Sequence, residues 1–147
     1  MKKYLFYLWN FWPPFLGAGI KVDKVATDMT YARMRLKKRF WNRNMVGTQY
    51  GGSIYSMVDP IYMAMLLTNL RKEYIVWDKS ASVRFKKPGK TDLTAEFKLT
   101  PDDLSDIKKR LETEPKIDWE RQIQVLDSQG EVVAEVSKVI HIRKKSK

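Results

Sequence analysis

The chain has 147 residues, 28 Lys and Arg against 17 Asp and Glu, one histidine and no cysteine. That length fits one domain with its own core; the lack of cysteine excludes disulfides, thiolate metal sites and a cysteine nucleophile, and His141 alone cannot build a site needing several imidazoles. The net charge of +11 favours an anionic partner such as nucleic acid, anionic membrane, a phosphorylated cofactor or an acidic carrier, although a solvated basic surface reads the same way.

The first residues read MKKYLFYLWNFWPPFLGAG. Two lysines before an apolar run suggest a secretion signal, but the run is aromatic, Asn10 interrupts it, Pro13-Pro14 follows and no small-residue cleavage site is present. The expectation is a helical segment over residues 1–17, with a short helix from Lys2 to Trp12 that docks on the domain or on a membrane surface. A weak strand, Ile20 to Ala26, turns near Asp28 into an alternating strand within Thr30 to Phe40, where Ala32, Met34 and Leu36 share a face. From Ser53 to Leu70 the chain is apolar nearly all round, which predicts a helix buried on every side; with Asp59, Pro60 and Asn69 inside it, it is too short and too polar for a bilayer.

Ala81 to Phe85 and Leu93 to Leu99 read as strands separated by Pro88-Gly89. Thr100-Pro101-Asp102-Asp103 opens an inserted surface helix over 101–113, its acids assigned to capping and solvation. Ile117 to Val125, with Arg121 as an exception on its apolar face, and Val132 to Ile142, whose apolar set is Val132, Ala134, Val136, Ile140 and Ile142, complete the strands around the turn Asp127 to Gly130. The order predicts one α+β domain over 1–147, with a curved antiparallel sheet wrapped around a central helix.

Chemistry concentrates in Asn44 to Asp59. Gly51 and Gly52 allow a sharp turn and close approach to the main chain before the buried helix. The first helical N–H groups lack partners and lie at the positive end of the dipole, where a carbonyl would be polarised and an oxyanion stabilised. Asp59 follows about two turns later and could hold a water or attack directly. Pro60 supports a competing reading, because Asp-Pro is a helix start with Asp as the cap. Ser53, Tyr55 and Ser56 stand near the turn, where local backbone bonds compete with substrate contacts.

The spacing N-x-x-G-x-x-aromatic-G-G with an acid seven residues after the second glycine resembles the hotdog-fold acyl-CoA thioesterases of the phenylacetic-acid type, whose pattern carries histidine where this chain has Tyr50. WPPFLGAGI and GTQYGGSIYSMVDP are more similar still to the DUF4442 group of hotdog proteins. The resemblance implies a hotdog fold and thioester hydrolysis. It assigns the Gly52 N–H to the carbonyl, Asp59 to base or nucleophile, and Asn44 to positioning water or the loop. Gly47, Gln49, Tyr50, Gly51 and Ser53 are placed as substrate contacts. Arg84, Lys87 and Lys90, around a turn like the family's cofactor entry, are placed on phosphates.

The implied partner is an acyl-CoA or acyl-carrier thioester, with coenzyme A as part of the substrate, no other cofactor and no metal. Hotdog domains pair edge to edge, so a homodimer or dimer of dimers is expected, in the cytoplasm. An acyl pocket would draw on Met57, Met63 and Met65. The alternative is a non-catalytic acyl- or lipid-binding protein that could associate with a membrane through Tyr4 to Trp12. The basic run Arg33 to Arg39 and the tail Arg143 to Lys147 come with no nucleic-acid motif, and no nucleic-acid partner is expected.

Overall fold

In the computed structural model, which describes residues 3–70 and 72–145, the alternating segments are strands β1 (Ile20–Val25), β2 (Tyr31–Leu36), β3 (Tyr74–Phe85), β4 (Leu93–Lys98), β5 (Lys116–Leu126) and β6 (Val132–Lys144). Lys2, Ser146 and Lys147, which the sequence reading placed in a helix and a basic tail, lie outside the described residues. The strands form one curved antiparallel sheet in the order β1-β2-β4-β5-β6-β3. Helices α3 (Gly51–Val58) and α4 (Ile61–Leu70) fill its concave face. Met57, Val58, Ile61, Met65 and Leu66 are buried in one cluster with Met34, Leu36, Phe97, Val136 and Ile140 of the strands. This is the hotdog arrangement.

The single helix expected over Ser53 to Leu70 is two helices joined through Asp59-Pro60. Pro60 has no N–H to give the turn before it, so the run bends there. Helical bonding runs up to the proline, with the Asp59 N–H on Tyr55 O at 2.9 Å, and resumes beyond it, with the Ala64 N–H on Pro60 O at 3.0 Å. The N-terminal helix likewise divides. Helix α1 (Lys3–Tyr7) passes into a 3-10 turn (Leu8–Phe11), and Pro13-Pro14 starts α2 (Pro13–Ala18). Asn10, which interrupts the apolar run, fastens this segment to the sheet: its Oδ1 accepts from the Val22 N–H at 2.7 Å. Phe6 and Phe15 are buried in the core, so the segment docks on the domain.

The strand expected over Ala81 to Phe85 is the second half of β3. A bulge between Asp78 and Ser80 hides the first half, because it switches the side-chain phase. Asp78 lies opposite Ile140 and so faces the core; beyond the bulge Ala81, Val83 and Phe85 lie opposite Lys138, Val136 and Ala134 on that same face. At this edge the helices no longer cover the sheet, and Ala81 and Phe85 are exposed. Pro88-Gly89 is no hairpin turn, since β6 and β5 separate β3 from β4 and the chain must cross past both.

Arg121, the exception on the apolar face of β5, lays its guanidinium over Trp119 at 4.0 Å and pairs with Asp103 of α5 (Pro101–Thr113). Asp103 also completes a capping box with Thr100, so it has an ion-pairing role besides the expected cap.

Candidate active site

Tyr50 is extended (φ −68°, ψ 128°), and its carbonyl takes the first bonds of α3, from Ser53 N at 3.0 Å and Ile54 N at 3.1 Å. The N–H groups of Gly51 and Gly52 come before those bonds, and no side chain caps the helix. They are available to a ligand at the positive end of the dipole. The glycines are needed for space rather than for an unusual backbone, since neither has positive φ. A Cβ on Gly51 would stand 2.9 Å from Phe85 Cζ, and one on Gly52 would stand 2.5 Å from Tyr50 Cε1. The Tyr50 ring thus folds back over Gly52, exposed beside the open amides.

The loop before α3 is braced internally. Asn44 Oδ1 accepts from Thr48 N at 3.0 Å and Val46 N at 3.2 Å, and its Nδ2 donates to Thr48 Oγ1 at 2.8 Å, around Gly47 at φ +78°. Gln49 is buried: its N–H donates to Gly89 O at 2.8 Å, and its Nε2 donates to Leu36 O at 3.2 Å and Thr91 O at 3.1 Å. Gln49 therefore fastens the 86–92 crossing to the helix entry and is enclosed away from solvent. Ser53 is buried under the first turn. Ser56 makes the local bond expected of it, to Gly52 O at 2.8 Å. The cationic crossing lies beside the α3 N-terminus, but its charges are not pooled. Lys87 pairs with Asp127 at 2.8 Å, which holds the Asp127 carboxyl below its usual range; Lys86 pairs with Glu135 at 3.3 Å; Arg84 and Lys90 are exposed.

At the other end of α3, Asp59 has helical backbone (φ −50°, ψ −57°), not the extended geometry of a cap. Its Oδ1 accepts from the Tyr55 hydroxyl at 2.7 Å and from Lys138 Nζ at 3.0 Å, and Lys138 also donates to the Asp59 carbonyl. The capping reading is therefore set aside. Lys138, whose side chain is 0 % exposed, also lies 2.8 Å from Asp78 Oδ1, as an ion pair rather than a well-directed hydrogen bond. Burial pushes the Asp78 carboxyl up, with Lys138 opposing and Asp59 adding to the rise. Burial first, and the neighbouring Asp59 second, also hold the Tyr55 phenol far above its usual range, so it remains a donor. The side chain of Asp59 is 44 % exposed. The bonds to its carboxylate among the described residues all fall on Oδ1, which leaves Oδ2 for a water or a substrate.

Lys138 and Asp78 were not foreseen. The signal for Lys138 was its phase: it stands between Val136 and Ile140, in register with the apolar set of β6. A buried lysine in that position needs an anionic partner. Asp78 gives no comparable signal, because the bulge that aims it inward is a tertiary feature. His141 points to the opposite face of the sheet from Ile140 and Ile142, with its Nδ1 2.8 Å from Asp118 Oδ1 and its ring 4.3 Å from that of Trp77. It cannot serve at Asp59. Of the three methionines expected around an acyl pocket, Met57 and Met65 are fully buried core, while Met63 lines an outer groove.

The chain aligns over 99 % of its length with 97 % of PA5026 from Pseudomonas aeruginosa, a protein of unknown function described as a probable thioesterase, at 23 % identity and a TM-score of 0.87. It covers 88 % of the Haemophilus influenzae thioesterase HI1161 with 95 % of its own length, at 10 % identity and a TM-score of 0.67. It covers 83 % of the Escherichia coli PaaI protein from the phenylacetic acid degradation operon with 90 % of its own length, at 15 % identity and a TM-score of 0.60. These likenesses are of fold. No curated protein matches the chain. The family model for DUF4442, a domain of unknown function, matches residues 3–142, and the chain belongs to that family, with the hotdog fold.

Proposed function

We propose that the protein hydrolyses an acyl thioester, carried by coenzyme A or by an acyl-carrier protein, with the Gly52 N–H polarising the carbonyl and Asp59 directing water. The observation that carries this reading is the pairing of an uncapped Gly-Gly helix start with a half-exposed carboxylate held by Lys138 and Tyr55. Asp59 takes a proton from water as the oxygen attacks the carbonyl carbon. The oxyanion forms at an amide N–H, and its collapse breaks the C–S bond while the proton held by Asp59 passes to the departing sulfur, giving a carboxylic acid and a thiol and restoring the carboxylate. Resemblance in fold to HI1161 and PA5026 supports the same reaction class.

Gly52 and Asp59 are seven residues apart on one helix, about 10 Å along its axis. One carbonyl cannot touch both within a single copy. The reading therefore includes a two-fold dimer in which Gly52 of one copy faces Asp59 of the other. The exposed edge strand β3, with Ala81 and Phe85 uncovered on its concave side, supports that pairing. On this reading Arg84, Lys87 and Lys90, flanking Phe85 and Gly89 that meet the α3 entry, bind the phosphates of coenzyme A. The lack of cysteine accords with a cytoplasmic setting.

The test is hydrolysis of an acyl-CoA panel, together with mixing of two inactive variants, Asp59→Asn and Gly52→Val. If the site spans two copies, re-equilibrated mixtures regain activity, up to about a quarter of wild type for random pairing. No turnover of any thioester defeats the enzymatic reading and leaves a non-catalytic acyl-binding protein; turnover without rescue on mixing defeats the shared site.

A further inference from the structure

The N-terminal aromatic segment encloses an apolar groove of about 530 Å³ lined by Leu8, Trp9, Phe11, Trp12, Pro60 and Met63. Trp12 and Pro60 also line a smaller cavity of about 140 Å³ that contains Tyr55 and Asp59. The two thus adjoin at Trp12 and Pro60, which sets the aromatic trough next to the cavity that the Asp59 side chain lines. The trough has the size and apolar lining of small-molecule sites, with convergent polar groups at one end only. Its walls are held rather than loose. Phe6 stacks on Trp9 with centroids 4.4 Å apart, Trp9 meets Phe15 edge-on at 5.7 Å, and Asn10 is bonded to β1. Leu8 (58 % exposed) and Phe11 (75 %) remain uncovered at its rim by the described residues.

We infer that this groove takes the acyl chain of the substrate, and that the chain is aliphatic and of medium to long length. The inference rests on the thioesterase reading for the chemistry at Asp59, but the groove itself is tested by binding. A carbonyl at Asp59 leaves two directions open. The thiol side runs towards the Gly52 end of a second copy, where the cations lie. The acyl side runs over Pro60 into the trough between Trp12 and Met63. An alkyl chain matches a trough lined by Leu8, Trp9, Phe11, Trp12, Pro60 and Met63, with no charged side chain among them; a short or charged acyl group would leave Leu8, Phe11 and Met63 in water. The N-terminal segment, rather than the interior between helix and sheet, is then what selects the acyl group.

The probes are S-dodecyl-CoA and S-ethyl-CoA, thioethers that cannot be hydrolysed, titrated by calorimetry and by tryptophan fluorescence. Wild type is expected to bind the dodecyl compound at least about 100-fold more tightly than the ethyl one, since each buried methylene adds to affinity. Met63→Trp, which fills the trough, should reduce that ratio to below about tenfold while leaving S-ethyl-CoA binding unchanged. Leu8→Ser and Phe11→Ser, at rim positions whose replacement does not open the core, should each reduce the ratio and keep the melting temperature. A ratio near one in wild type, or a ratio untouched in all three variants, overturns the inference. So does dodecyl binding seen only with anionic phospholipid vesicles present, which would make the rim a membrane contact. Tight dodecyl binding without hydrolysis of any thioester in the panel upholds the groove and removes the thioesterase reading alone.

Discussion

Lys138 and Asp59 stand 79 positions apart in the chain, yet Lys138 Nζ lies 3.0 Å from Asp59 Oδ1, the lysine fully buried and the aspartate half exposed. The lysine reaches from the sheet through the core to the kink between α3 and α4. It holds one carboxylate oxygen and leaves the other without a bond among the described residues. An ammonium buried in this way opposes the burial-driven rise of the Asp78 carboxyl and fixes the position of Asp59 Oδ1.

Asp59→Asn preserves the size of the side chain and its capacity to accept from Tyr55 and Lys138, while Lys138 keeps Asp78. The expected outcome is a folded protein whose melting temperature moves by a few degrees at most and whose thioester hydrolysis falls at least about 100-fold. Steady-state assays beside thermal melts check it. Unchanged turnover would remove Asp59 from the chemistry.

Tyr55→Phe removes the 2.7 Å bond to Asp59 without changing the packing of the ring. A hydrogen bond to a charged acceptor contributes about 1.5–3 kcal/mol, so kcat should fall roughly tenfold or more. KM should change little, because the hydroxyl orients Asp59 and does not contact the acyl chain. A change confined to KM would show that the phenol binds substrate instead.

Lys138→Met leaves the desolvated Asp78 carboxylate without its cation and should cost about 3 kcal/mol in urea unfolding. Adding Asp78→Leu removes the stranded charge, and the double variant should recover at least half of the loss. Additive losses in the double variant would mean that the two residues do not act as a pair.

Asp78 also predicts a pH dependence. Burial raises its native carboxyl above the ordinary value of 3.8, so the native state keeps that proton to higher pH than the unfolded chain. The stability this contributes is present below pH 3.8 and is lost as pH rises through the raised native value. The melting temperature of Asp78→Asn relative to wild type should therefore climb as pH rises above 3.8. A difference that stays flat or falls over that range would contradict a desolvated Asp78.

Gly52→Ala brings a methyl group against the Tyr50 ring, and the exposed ring must swing away. The variant should melt lower than wild type, and Gly52→Ala combined with Tyr50→Ala should melt higher than Gly52→Ala alone. Equal melting temperatures for the single and double variants would show that Tyr50 does not press on Gly52 in solution.

The strands of this protein were readable from local pattern, because a half-buried strand must alternate every two residues whatever it pairs with. The same holds for the capping box of α5, the buried central helix and the Gly-Gly entry to α3, each of which is set by neighbours within a few positions. The first half of β3 escaped this reading, since the bulge after Asp78 breaks the period and Trp77 and Ile75 make its other face apolar as well. Whether Asp59 caps a helix or faces a site was equally undecided by the Asp-Pro pair. That choice was made by Lys138 and Tyr55, which bind its carboxylate before the next helix's N–H groups can. Charge burial is a property of what surrounds a group in space, and the groups that surround Asp59 come from β3, α3 and β6. The dependence of Gly51 on the ring of Phe85 likewise emerges only when β3 is laid against the start of α3.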